Sequence, residues 1–474
     1  MTSQLVGQLP ISYAQHEINE LKLEDFVQEF PLQSTGANAF AITSDSLERI
    51  WFSERNLSTI AYLDPKDGMI TRFKISTDKP ALEIWSIYAD DGDVWFTDAT
   101  ESKIRRLDPS TGSIIDYLIP STNAMPWDIK RDSSGNFWVT DFNSSNLAKI
   151  IVSELEAGTS KGIIEYPIPT RNSRPSYLEL DRDGNIWFVE SGPGKIAKFD
   201  PNSEQFTEFQ LPSDGVGGET VNPIGLAIDN EGKVWYTQFR TSMIGRLDPD
   251  NGDVKEYATG VLTSGTYQMI RDPRGHIWTI QFRADRIVRI SPEELRIWEY
   301  KIPTNLTFTE TLTSDGEGNI WFIERDADQI GFLNASIPIP ISIDVNSREL
   351  TISRGSRGFL DVEVARTSGD DVFLIARGNM RVTGLITGAD MAFSPDRTSF
   401  PSRENLISKL TINLSRDLEP KTYHITIGAS ELDLDLYSGL FVEMDVKEGV
   451  SFNLLALIVI IIAVMTLLLL AFKR

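Results

Sequence analysis

Pro223-Ile224-Gly225-Leu226-Ala227-Ile228-Asp229-Asn230-Glu231-Gly232-Lys233-Val234-Trp235-Tyr236 holds two short apolar runs joined by a turn-forming stretch, with a tryptophan in the second run. The same frame returns at Ile50-Trp51-Phe52, Val94-Trp95-Phe96, Phe137-Trp138-Val139, Ile186-Trp187-Phe188, Ile277-Trp278-Thr279 and Ile320-Trp321-Phe322. Successive tryptophans lie 43 to 49 residues apart, the period of a propeller blade made of four short strands. With the opening stretch there are seven copies, which predict a seven-bladed β-propeller.

Each copy follows one grammar. An apolar strand ends in a turn such as Asp183-Gly184-Asn185, where glycine supplies the backbone freedom of a tight hairpin, and the tryptophan strand follows. A third strand alternates in period two, as in Lys195-Ile196-Ala197-Lys198-Phe199, and runs into an Asp-Pro turn such as Asp200-Pro201. The fourth carries an acidic-aromatic signature: Asp116-Tyr117, Glu165-Tyr166, Glu208-Phe209 and Glu299-Tyr300. The last copy leaves the pattern after Leu333 without a fourth strand, whereas Glu29-Phe30-Pro31-Leu32 precedes the first copy and matches Glu165-Tyr166-Pro167-Ile168. The N-terminal strand is therefore expected in blade seven, closing the ring and removing an open sheet edge.

The propeller so defined covers residues 26–334 of 474, after an N-terminal arm at 1–25. Beyond it the tryptophan repeat stops. Residues 335–447 give alternating runs such as Phe359-Leu360-Asp361-Val362-Glu363-Val364 and Tyr423-His424-Ile425-Thr426-Ile427, which predict an immunoglobulin-like β-sandwich without a disulfide, since the chain has no cysteine. Residues 454–472 are almost unbroken Leu, Ile, Val and Ala, and predict a transmembrane helix at 452–472. Lys473 and Arg474 follow it directly, so the positive-inside bias puts the C-terminus in the cytoplasm and the bulk outside. Residues 1–14 hold no complete export signal, although Ser12 and Ala14 have the spacing of a cleavage site. A formal charge of −23 argues against a nucleic-acid partner, because phosphate backbones require basic patches.

The repeat Gly-x-x-x-Asp-x-x-Gly-x-[IV]-Trp-[FY]-x-[ED], followed by Lys-Ile-x-[KR]-[LF]-Asp-Pro and [ED]-[YF]-x-[IL]-Pro, resembles the streptogramin B lyases, also called virginiamycin B lyase-like propellers. The resemblance covers residues 26–334. It implies a Glu-Pro-His run at the start of an inner strand, a histidine from a neighbouring blade, and a glutamate three residues after the tryptophan, which together hold Mg and supply a general base. The position eleven before each tryptophan is here Phe40, Ile84, Trp127, Ser176, Ile224, Tyr267 and Glu310, with no histidine among them. The chain's three histidines, His16, His276 and His424, fall in different regions.

The position three after each tryptophan keeps polar character: Glu54, Asp98, Asp141, Glu190, Gln238, Gln281 and Glu324. The resemblance places it near the mouth of the central channel. There the carboxylates either form a ring of oxygen ligands suited to Mg or Ca, or pair with arginines and backbone amides to tie blades together. The aromatics Phe40, Trp85, Trp127, Tyr177, Tyr267 and Phe308 on inner strands either pack between blades or line a binding mouth, with Trp85, Trp127, Tyr177 and Tyr267 as the ligand-binding candidates. The expected function is a membrane-anchored, cell-surface recognition module for a small molecule, glycan or protein. The alternative is a metal-dependent lyase performing C–O elimination on a cyclic ester, with Glu310 and Glu324 as base and metal ligand.

Overall fold

The computed structural model describes residues 22–449, apart from 90–91, 213–220, 262–263, 367–370, 379–385, 396, 400–405 and 432–434. Seven antiparallel blades follow one another: residues 39–74, 87–118, 126–167, 175–210, 223–258 and 266–301, then 312–333 completed by Val27–Pro31. Blade four is typical, with strands Pro175–Leu180, Ile186–Glu190, Lys195–Asp200 and Gln205–Gln210 from axis to rim. Closure occurs as expected from the sequence. Val27 pairs with Leu333 and Pro31 with Gln329, while the Asp328 carboxylate accepts the Gly36 and Ala37 N–H groups at 2.6 and 3.0 Å.

The tryptophan column is structural. In six blades an aspartate six residues earlier organises both the turn and the ring. In blade five, Asp229 accepts the N–H groups of Glu231 and Lys233 on one oxygen, each at 2.9 Å, and the Trp235 indole N–H on the other at 2.8 Å. Asp45, Asp132, Asp181, Asp272 and Asp315 do the same for Trp51, Trp138, Trp187, Trp278 and Trp321. Blade two has Ala89 at this position. The outer-strand aromatic then stacks on the tryptophan, as Phe209 does on Trp187 at 5.8 Å and Tyr257 on Trp235 at 5.9 Å. The acidic partner in the same strand reaches back to the preceding loop: Glu165 binds Ser121, Glu208 binds Thr170, and Glu29 binds Thr304. Inner strands approach closely enough that a Cβ on Gly225 would lie 2.5 Å from the Met269 nitrogen, so only glycine fits there.

Residues 341–447 form a two-sheet sandwich. Ile341–Val345, Arg357–Arg366, Leu406–Leu414 and Ala389–Ser394 make one sheet, and Leu436–Lys447 and Thr422–Glu431 anchor the other. Val362, Val364, Leu410 and Ile412 from the first meet Ile425, Ile427, Leu440 and Val442 from the second in one apolar core. The second sheet does not stop at the sandwich. Residues 437–440 pair with 296–299, the outer strand of blade six, producing a nine-stranded sheet that crosses from one domain to the other. Tyr257 stacks on Phe441 at 4.1 Å, the Thr426 hydroxyl donates to the Ala258 carbonyl at 2.7 Å, and Arg286 pairs with Asp435.

The expected membrane-spanning helix requires correction. Among the described residues no helix is long and apolar enough to cross a membrane, and 452–472 lie outside them. The single-pass topology read from that segment, with an outward bulk and a cytoplasmic C-terminus, is accordingly set aside, and the fold class becomes an all-β propeller followed by a sandwich.

Candidate functional site

Two adjacent sequence columns separate at the ends of the tryptophan strands, because successive strand residues point to opposite faces. The column three after tryptophan is fully buried and turns into its own blade. Glu54 binds Arg72 at 2.9 and 3.0 Å, and Asp98 faces Arg105 at 3.0 Å while accepting the Thr100 and Glu101 N–H groups. Asp141 accepts from the Met125 and Ser144 N–H groups. Gln238 and Gln281 donate to Glu256 and Glu299 at 2.7 and 3.1 Å. Glu190 and Glu324 are different: the Glu324 carboxylate oxygens have no hydrogen-bond partner among the described residues, and Glu190 meets the carboxyl of Glu208, with which it can share a hydrogen bond only when one of the two is protonated. Burial, reinforced by Glu208, pushes Glu190 up to about 8, and burial with Glu29 and Asp285 does the same for Glu324.

These residues do not converge on a cation. No group of three or more His, Asp or Glu among the described residues could hold a metal, and Glu54, Asp98 and Asp141 already satisfy arginines and backbone amides. The donor set therefore does not fit Mg or Ca.

The axis is lined instead by an aromatic belt. Trp85 stacks on Trp127 with centroids 4.2 Å apart and planes 15° apart. Trp127 also stacks on Phe142 at 4.9 Å and meets the edge of Tyr177 at 6.3 Å. Tyr177 then meets Tyr267 at 6.5 Å, Tyr267 meets Phe239 and Phe282, and Phe282 meets Phe308 at 5.3 Å. Phe40 returns to Trp85 at 4.9 Å, so every blade contributes a ring. The sequence candidates Trp85, Trp127, Tyr177 and Tyr267 all fall in this belt.

Missing from that reading is the column four after tryptophan, which supplies Arg55, Phe142, Phe239, Phe282 and Arg325. Each touches a ring or Glu310 of the inner column. The signal was present in the repeat, one residue beyond the position to which the resemblance pointed.

Arg55 is 5% exposed and lies over Phe40 and Trp85 at 3.6 and 4.1 Å. Its Nε donates to the Ile84 carbonyl at 3.2 Å and its Nη1 pairs with Glu83 at 3.2 Å. Burial lowers it to about 10, which leaves it cationic at neutral pH. Glu310 receives Arg325 at 2.6 Å, and burial raises it against the pull of Arg325 and Arg55. Burial also raises Tyr177 and Tyr267, and each feels the charges of Arg55 and Glu310. Residues from blades one, four, six and seven thus share one electrostatic neighbourhood at the axis. Asp128 fixes this neighbourhood by accepting the Ser86 hydroxyl at 2.6 Å and the Leu178 N–H at 3.0 Å, joining blades two, three and four.

Glu310 and Glu324 keep different company: Arg325, Arg55 and Tyr267 surround the first, Glu29 and Asp285 the second. No described histidine enters the belt. His276 faces Asp272 and Arg289, and His424 lies against Tyr257 at the sandwich, where burial lowers it to about 4.

The family model described as Virginiamycin B lyase matches residues 11–228 and 215–341, well over half of the chain. The chain belongs to the virginiamycin B lyase family. Among solved structures, a streptogramin B lyase is similar at 25% identity with a TM-score of 0.58, covering 65% of this chain and 97% of that one. A catalytically inactive virginiamycin B lyase variant from Staphylococcus aureus, solved with quinupristin, is similar at 25% identity with a TM-score of 0.57, over 65% of this chain and 98% of that one. The extracellular domain of the BT4673 protein from B. thetaiotaomicron shares the fold at 15% identity and a TM-score of 0.51, over 89% of this chain and 58% of that one. Among curated proteins compared by sequence, none matches.

Proposed function

We propose that this member of the virginiamycin B lyase family is a binding module whose ligand, a small organic molecule, sits on the aromatic belt at the axis. One observation carries the reading: Arg55, Trp85, Trp127 and Tyr177, brought together from four blades, each hold a buried polar atom with no partner among the described residues. Folding leaves such groups unmet only at a cost of about 1–3 kcal/mol apiece, which a ligand can offset. An aromatic lining with a few convergent polar groups is the usual composition of a small-molecule site.

Lyase chemistry is the second reading, favoured by the family and by Glu310, a largely buried carboxyl that burial raises above its ordinary value. Against it stand the absence of histidine from the inner column and the pairing of Glu310 with Arg325. Two experiments separate them. A ring-compound fragment screen by ligand-observed NMR, run on the chain and on Trp127→Ala, should give hits that the variant loses; hits indifferent to Trp127 would remove the binding site from the belt. Incubation with quinupristin and Mg, followed by mass, should leave the antibiotic cyclic. Linearisation abolished by Glu310→Gln would establish the lyase instead.

A further inference from the structure

The mouth offers hydrogen-bond donors and has few acceptors left. Nη2 of Arg55, Nε1 of Trp85, Nε1 of Trp127 and the Tyr177 hydroxyl are all buried without a partner among the described residues. A guanidinium and an indole N–H can only donate, and a phenol can do so. The acceptors alongside are engaged: Asp128 by Ser86, Ile129 and Leu178, and Glu310 by Arg325. What this arrangement lacks is an oxygen-rich, acceptor-only group.

Charge narrows the choice. Among the described residues the salt bridge of Arg55 is to Glu83, whose side chain is about half exposed and which meets Nη1, while Glu310 adds a second negative charge nearby. Water screens such a pair, so the guanidinium keeps attraction for a second anion. The guanidinium sits in the corner formed by the edge-to-face rings Phe40 and Trp85, which fixes its orientation and limits the entropy lost when its remaining N–H groups meet an anion. Around this floor stand the half-buried rings Phe142, Phe239, Phe282 and Phe308, with Arg283 over Phe239 and Arg325, paired to Glu310, over Phe308.

Resting on the binding-module reading above, we infer that the mouth recognises a carboxylate carried on a flat apolar body, with the carboxylate at Arg55, Trp85, Trp127 and Tyr177 and the body against the phenylalanine rim. The local cation at Arg55 sets the binding of such a ligand against the field of a chain of charge −23.

The test uses 2-naphthoate and its neutral isostere 2-naphthamide, titrated calorimetrically into the full chain. The carboxylate should bind about tenfold more tightly, a difference of about 1.4 kcal/mol, and added NaCl should weaken it while leaving the amide unchanged. Arg55→Met, which keeps the stacking volume but removes the charge, should erase the preference. Because the unmodified protein carries the main comparison, a variant that fails to fold does not obstruct it. Equal affinity for both compounds would overturn the carboxylate inference while leaving the belt as a binding site. Binding of neither would also overturn it, and the Trp127-dependent fragment screen would then decide separately whether the belt binds anything.

Discussion

Tyr257 of blade five and Phe441 of the sandwich stack with centroids 4.1 Å apart and planes 20° apart. The contact sits beside the pairing of residues 296–299 with 437–440 and beneath the buried His424. Propeller and sandwich are therefore expected to unfold together. Phe441→Ala removes a buried ring from both and should cost about 3–5 kcal/mol. Differential scanning calorimetry should show one transition for the unmodified chain, moved down as a unit in the variant; two independent transitions, of which only one moves, would show that the domains are merely adjacent.

Ring closure rests on the strand Val27–Pro31 and on Phe26 and Leu32, both wholly buried beside it. Deleting residues 1–33 exposes the edge of Gln329–Leu333 and forfeits roughly 1.5–3 kcal/mol for each large apolar side chain lost. Thermal unfolding of the shortened chain should begin well below that of the whole. Matching midpoints would mean that blade seven does not depend on its N-terminal strand.

The protonation of Glu324 gives a dependence on pH. Its folded value is about 8 against an ordinary 4.5, so between those values the folded state holds a proton that the unfolded state has released. Stability from this group is full below pH 4.5 and falls as pH rises through about 8, by an amount on the order of a few kcal/mol. Glu190 behaves alike. In blades five and six the same column holds Gln238 and Gln281, each donating to an outer-strand glutamate. Glu324→Gln should therefore stabilise the protein above pH 8 and flatten its denaturation midpoint between pH 5 and 9. An unchanged slope would place the titration elsewhere.

Much of the architecture could be read directly from the chain because its signals are local and repeated. The tryptophan period counts the blades, and the likeness of Glu29-Phe30-Pro31-Leu32 to Glu165-Tyr166-Pro167-Ile168 reveals which end supplies the missing strand. The belt was partly legible, since Trp127 and Tyr267 occupy the inner column eleven before tryptophan. Arg55 was not legible, because it stands beside Glu54, the position the family motif marks, and a one-residue step along a strand reverses the face. The continuation of blade six into the sandwich left no local trace at all: Ile297 and Gly439 pair across more than a hundred residues, and nothing in either short run names the other.

The strand Leu436–Lys447 pairs with blade six through its first residues, with Thr422–Glu431 along its length, and in parallel with Glu349–Ser353 through its last. Tension applied between the propeller and residue 447 would run along this strand and load its lateral hydrogen bonds in shear, many at once, instead of unzipping them singly. The strand is thus a tie-rod, and the mechanical strength of the junction is set by how many ladder rungs break in concert.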